Sequence, residues 1–249
     1  MILKKLGQEL GLTMKIKDNS TNIKTYSSYS HDKPGGINYQ KEGFENLIAK
    51  HQAKIDYLKR FNLESDSKVL DIGCGFGSFG YCLLTQVLDS QGRYMGVDVS
   101  RRRIKQARQM MKQTGFNGQF EVIQNMNDCL QFKDINWITI FSVFTHIFNE
   151  DIINYLLIAN QVLKHGGRLC FSILDIESRE GLNYLNEMIK RSSRMRFKTE
   201  FYTIHSLDYI KSILRYSGFQ LIDSSFLPPN IQRFCVAEKI DNKTELGNS

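Results

Sequence analysis

No apolar run in the chain approaches the ~20 residues of a membrane-spanning helix. Its first ten residues, MILKKLGQEL, are charged where a signal peptide would be continuously apolar. A cytoplasmic protein that does not enter a membrane is expected. Cysteine is scarce: Cys74, Cys82, Cys129, Cys170 and Cys235 form an odd set with no C-x-x-C spacing. That pattern speaks against a disulfide scaffold and against zinc, and reads as five small buried hydrophobes. Prolines number only three, and no carboxylate cluster is spaced to ligate, so no metal is expected. Acids are missing from two stretches, one holding Arg101, Arg102, Arg103, Lys105, Arg108 and Lys112, the other Lys190, Arg191, Arg194, Arg196 and Lys198. With a net charge of +7, these are either two solvated faces or a surface for an anionic partner such as RNA.

What is present suits one α/β domain: 249 residues, 41% of them hydrophobic and 24% charged. Residues 1–36 carry few periodic apolar positions and end in serines, Pro34 and two glycines, so they read as a flexible N-terminal arm or lid. From Gly43 to Phe61, the residues Phe44, Leu47, Ile48, His51, Ile55 and Leu58 follow helical spacing. Strands are then expected at about 68–72, 94–97, 120–124, 137–141 and 168–174, separated by helices. Of these helices, the one after Ser100 is basic outside and buries Ile104, Ala107 and Met111. The helix expected at 151–163 is stopped by His165, Gly166 and Gly167. A stretch at 175–205 with one helix is too long for a bare loop and reads as a cap. A helix after Ser206 ends at Gly218. Two close strands, 220–226 and 232–238, must pair antiparallel. The domain spans 37–240 and a polar tail spans 241–249.

The most informative stretch is KVLDIGCGFG at 68–77. Val69, Leu70 and Ile72 form a buried strand, and Gly73, Gly75 and Gly77 recur at every second position through the following turn. A dinucleotide fingerprint needs its third glycine three residues after the second, where Ser78 stands, so that reading fails on spacing. An acid two residues before the first of three alternating glycines resembles motif I of the class I S-adenosylmethionine-dependent methyltransferases. YMGVDVS resembles the second motif of that family. The stretch from IFSVFTHIF to LCFSIL is similar to its strand four, helix and strand five, and YIKSILRYSGFQLI to its step before strand six. The resemblance covers about 60–240. It implies a Rossmann-like, mostly parallel seven-stranded sheet with helices on both faces and a C-terminal antiparallel hairpin.

The resemblance further implies S-adenosylmethionine as cofactor, held at the carboxyl ends of the strands. The glycine loop, Gly73 to Gly77 with Cys74 and Phe76 between, would pass under it. Asp71 would attract its sulfonium side or fix the loop. Asp98, ending strand two, would accept both ribose hydroxyls, with Val99 along the adenine face. Asn125 and Met126 stand where the family places its adenine-edge pair, usually an acid and a small residue, with Asp128 as the runner-up. Phe141 and Ser142 would line the methionine end.

Methyl transfer needs an aligned nucleophile and in many cases a base. Imidazole titrates near neutrality, which makes His146 the first candidate and His205, with Tyr202 and Tyr209 around it, the second. His31 and Tyr39 could fold over from the arm. The loop after strand four reads FSVF, not the Asn/Asp-Pro-Pro-aromatic of amino-group methyltransferases. The expectation is therefore a small or medium-sized acceptor, with O-methylation of a sugar or metabolite in view. RNA methylation and non-catalytic cofactor binding are the alternatives, and oligomeric state is left open.

Overall fold

The computed structural model describes residues 39–190, 203–227 and 231–240. Helix α1 (Tyr39–Lys59) is kinked at Gly43, whose φ of 67° is left-handed. There follow β1 (Lys68–Ile72), α2 (Ser78–Gln86), β2 (Arg93–Asp98), α3 (Arg101–Thr114) and β3 (Gln119–Val122). A 3-10 helix, Met126–Gln131, leads into β4 (Ile135–Ile140), and a second, Phe144–His146, precedes α4 (Asn149–Val162). The chain closes with β5 (Leu163–Asp175), α5 (Arg179–Lys190), β6 (Ile204–His205), α6 (Leu207–Tyr216), β7 (Phe219–Phe226) and β8 (Arg233–Lys239).

The main sheet has the order β3-β2-β1-β4-β5-β8-β7, parallel except where β8 joins β5 and β7. This is the mostly parallel sheet with an antiparallel C-terminal hairpin that the sequence led us to expect. An eighth strand departs from the expectation: two-residue β6 pairs parallel with the end of β5, matching Leu174 to Ile204 and Asp175 to His205. Two residues are too few to show an alternation in sequence.

Alternation divides the core into two layers. Leu70, Ile72, Val97, Ile138, Ile140 and Phe171 pack with Leu156 of α4 and Ile210 of α6. Val69, Trp137, Cys170 and Phe234 face the other way and pack with Tyr57 and Leu58 of α1, Leu83 of α2 and Ile104 of α3. All five cysteines are buried with free thiols. Strand β5 begins five residues before the expected Arg168: Leu163 pairs with Ile135, His165 to Gly167 loop out, and pairing resumes between Arg168 and Trp137. Gly166 makes that loop possible with a φ of 65°.

Three expected regions lie wholly or partly outside the described residues. They are the arm at 1–36 with His31, the tail at 241–249, and the 191–202 part of the cap with Arg191, Arg194, Arg196, Lys198 and Tyr202. The turn residues Pro228, Pro229 and Asn230 also fall outside. Among the described residues no helix is long and apolar enough to cross a membrane.

Candidate cofactor site and the residues around it

The parallel strands end side by side, and the glycine loop rises between β1 and α2. Gly73 and Cys74 both donate their N–H to the Val97 carbonyl, at 2.8 and 3.0 Å, which locks the loop to β2. Gly73 has a φ of 76°, and a Cβ there would lie 2.3 Å from Val143 Cγ2, so any other residue would be strained and would push against the Val143 side chain. At Gly75, φ 57°, a Cβ would meet nothing within 4 Å. The loop therefore has open space on that side, where a ligand could lie against bare backbone. Cys74 is buried, while Phe76 is half-buried with the Arg103 guanidinium 5.5 Å from its ring centre.

Asp98 ends β2 and is 4% exposed. Its Oδ1 accepts from Ser100 N at 2.8 Å and its Oδ2 from Gly75 N at 3.0 Å, with Arg103 Nη1 3.9 Å from Oδ2. One carboxylate thus ties β2, the glycine loop and the start of α3 together. A carboxylate oxygen can accept more than one hydrogen bond, which is the chemistry a pair of ligand hydroxyls would use. Ser100 caps α3 by accepting from Arg103 N at 3.3 Å, so Asp98 is not needed as a cap.

Asp71 lies inside the sheet. It is 3% exposed, and its oxygens accept from Tyr94 Oη at 2.6 Å and Thr139 Oγ1 at 2.8 Å, linking β1 to both neighbouring strands. Burial raises its pKa to about 6, against the lowering effect of those two hydrogen bonds and of Lys54.

Past β3, Asn125 caps the 3-10 helix: its Oδ1 accepts from Asn127 N at 2.9 Å, while Asp128 Oδ2 accepts from Gln124 N at 2.6 Å and Asn125 N at 3.3 Å. Asn125 is exposed. The expected Met126 contact needs correction, because its side chain is buried in the core with Cys129 and leaves only backbone to offer a ligand. Val99 is half-buried against the same layer.

After β4, Phe141 packs edge-on to Phe79 and Phe234, at 5.0 and 5.5 Å between ring centres. Ser142 takes a left-handed φ of 57° and donates its N–H to Ser172 Oγ at 2.8 Å. Both serine hydroxyls donate to Gln232 Oε1, at 3.1 Å from Ser142 and 2.6 Å from Ser172. Ser172 and Gln232 were missed in the sequence because nothing local marks a meeting of β4, β5 and the start of β8.

His146 ends the second 3-10 helix and is half-buried, with its N–H on the Val143 carbonyl at 2.9 Å. His205 is placed differently. It is 3% exposed, stacks on Tyr209 with ring planes 10° apart, and bonds the Phe144 backbone; burial lowers its pKa. Nearby, Thr203 N donates to the Thr145 carbonyl at 2.8 Å and Thr203 Oγ1 to the Ile147 carbonyl at 2.6 Å. The segment 203–205 thus clamps the loop that carries His146. His205→Ala is expected to lower stability by about 2–4 kcal/mol, through a lost buried ring and an orphaned carbonyl. Thermal unfolding measures this, and an unchanged midpoint would show the clamp carries no weight.

Two further side chains come from α1. His51 is 6% exposed and meets Ser78 Oγ at 3.1 Å, and burial holds its pKa down to about 3. Lys54, one turn on, places Nζ 5.1 Å from the Phe141 ring centre and 5.6 Å from that of Phe234. Lys54 shares the inward stripe of Leu47, His51 and Leu58, and a lysine on such a stripe was the readable signal. Of Tyr39 only its place in α1 is described. Among the described residues no group of three or more His, Cys, Asp or Glu is arranged to hold a metal.

A family model described as "Methyltransferase domain" matches residues 63–218. Among solved structures, a protein of Pyrococcus horikoshii OT3 superposes with a TM-score of 0.61 at 19% identity, covering 78% of this chain and 91% of that one. Magnesium protoporphyrin IX methyltransferase of Synechocystis PCC 6803, solved with S-adenosylmethionine bound, gives 0.59 at 18% identity, covering 91% and 100%. A S-adenosylmethionine-dependent methyltransferase of Methanosarcina mazei gives 0.59 at 19%, covering 74% and 97%. At such identities these likenesses speak for the fold. The family match spans more than half of the chain, over the glycine loop, Asp98 and the loop after β4, and on it this protein belongs to the methyltransferase-domain family, as a class I S-adenosylmethionine-dependent methyltransferase.

Proposed function

We propose that the enzyme methylates a hydroxyl of a small or medium-sized polar acceptor, such as a sugar or another metabolite. The observation that carries this reading is the contrast between the two sides of the sheet. Beside β4, β5 and β8 stand the hydroxyls and amide of Ser142, Ser172 and Gln232, with His146 on the adjoining loop; Arg233 is paired with Asp175, and Lys54 is a single cation there. The described basic helix, α3, packs against β2 and β3 at the opposite edge. A hydroxyl and amide surface with one cation suits a small polar acceptor better than a polyanion.

Bound S-adenosylmethionine supplies an already activated methyl group. Asp71, through Tyr94 and Thr139, holds the glycine loop in place, and that loop with Asp98 orients the nucleoside. Val99, Asn125 and the Met126 backbone meet the adenine, and Phe141 and Ser142 line the methionine end. His146 takes the acceptor's proton as the new bond forms, and His205 holds its loop. The methyltransferase domain runs from 37 to 240.

Methyl transfer from labelled cofactor to a panel of sugars, phenols and short RNAs tests the reading. Transfer to hydroxyl acceptors is expected. His146→Ala should lose kcat about 100-fold and lose the fall in rate on the acid side of the pH profile. An unchanged kcat would remove His146 from the chemistry. The RNA alternative has one observation in its favour: Arg101, Lys105 and Arg108 line a surface depression beside Val122. Arg108, however, already donates to the Phe120 carbonyl at 2.9 Å, and Arg103 faces Asp98 and Phe76. Binding of RNA that weakens steeply with salt would favour that alternative.

A further inference from the structure

We infer that Lys54 is a carboxylate-binding residue of this pocket, receiving the carboxylate either of the methionine part of the cofactor or of the acceptor. The inference rests on the reading of the site given above. The lysine lies on the inward stripe of α1, half-buried, with its ammonium beside the rings of Phe141 and Phe234. Phe141 is the first residue after β4, in the loop assigned to the methionine end, and three residues back on the helix His51 meets Ser78, the first residue after the glycine loop. Lys54 therefore stands between the two segments that converge on that end of the pocket.

Among the described residues, Lys54 makes no ion pair and no hydrogen bond. Asp71 attracts it, but both Asp71 oxygens already accept from Tyr94 and Thr139. The other groups around it are Cys82 and Cys170, both neutral because burial raises their thiols, and Lys50, which repels it. A buried ammonium whose nearest carboxylate, Asp71, is shared with two hydroxyl donors is only partly compensated, and a bound carboxylate would add to that compensation. Burial lowers the Lys54 pKa to about 8, so the ammonium is still the main form at neutral pH. His51 cannot replace it as the cation, being neutral at that pH. It adds a buried Nδ1 that has no hydrogen-bond partner among the described residues.

The test is calorimetric titration of the wild type and Lys54→Met with S-adenosylhomocysteine and with 5′-methylthioadenosine, which keeps the nucleoside and thioether but lacks the carboxylate. Methionine retains the apolar stem, and since the lost charge has no ion pair, the unfolding midpoint should not fall. The expected result is roughly 10- to 100-fold weaker binding of S-adenosylhomocysteine, with 5′-methylthioadenosine unchanged. If the first ligand is also unchanged, protein saturated with it is titrated with benzoate and benzyl alcohol. Selective loss of benzoate binding in the variant then assigns the carboxylate to the acceptor. Equal losses for both nucleosides, or no loss in either arm, overturn the inference. A wild type that binds neither nucleoside instead refutes the cofactor site itself.

Discussion

Asp98→Ala is expected to weaken S-adenosylmethionine binding at least ~100-fold in a protein that still folds. Two hydroxyls bonded to one carboxylate are worth about 1.5–3 kcal/mol each when the acceptor is charged, and about 1.4 kcal/mol is a factor of ten. Asp98 does more than meet a ligand, because it also accepts from Gly75 N and Ser100 N. Alanine leaves both N–H groups without that acceptor, so some lowering of the unfolding midpoint should accompany the lost affinity. Asparagine is no mild substitute here: one oxygen becomes an NH2 facing a backbone donor, at Gly75 or at Ser100. Both variants should therefore fail to bind, the alanine more completely. Calorimetric titration beside a thermal melt decides the matter, and undiminished affinity in folded Asp98→Ala would remove this residue from the cofactor site.

Asp71→Ala should act on stability more than on any other property in the set. The aspartate is 3% exposed, and its loss strands the buried hydroxyls of Tyr94 and Thr139. A loss of about 2–4 kcal/mol is expected, read from denaturant unfolding at constant slope. Asp71→Asn, which keeps one oxygen acceptor and removes the charge, should lose less and should respond differently to pH. The folded carboxyl has a pKa raised to about 6, above the ordinary 3.8. The native state thus holds this proton more tightly than the unfolded chain. Its contribution is fully present below about pH 4 and is lost as pH rises through about 6. Relative to Asp71→Asn, the wild type should lose stability across that window. A constant difference between the two proteins would show that the carboxyl titrates alike in both states.

The sheet and the cofactor loop were legible because they rest on local signals. The apolar run of β1, the spacing of Gly73, Gly75 and Gly77, and an acid at the end of β2 are each contained in a few consecutive residues. What escaped depends on residues that meet only in the fold. Asp71 could not be recognised as the knot of β1, β2 and β4, since its partners lie 23 and 68 positions away. Met126 looked like an adenine contact because its neighbour Asn125 occupies the right place, but the 3-10 helix turns its side chain into the core. His146 was ranked before His205 on its place just after strand four, with nothing local to say what either side chain touches. Burial separates them. Lys54 was passed over because an apolar stripe is searched for apolar residues, and the exception on such a stripe is the residue that calls for an explanation.

The hydrogen bonds of Thr203 and the pairing of His205 with Asp175 fix where the chain returns to the sheet, however it travels after Lys190. With the return point fixed, the chain between Lys190 and Thr203 can lengthen without altering the register of the strands. Each doubling of its length would add only about 0.6 kcal/mol of closure cost. Variation in that length would leave in place the strands that carry the glycine loop and Asp98.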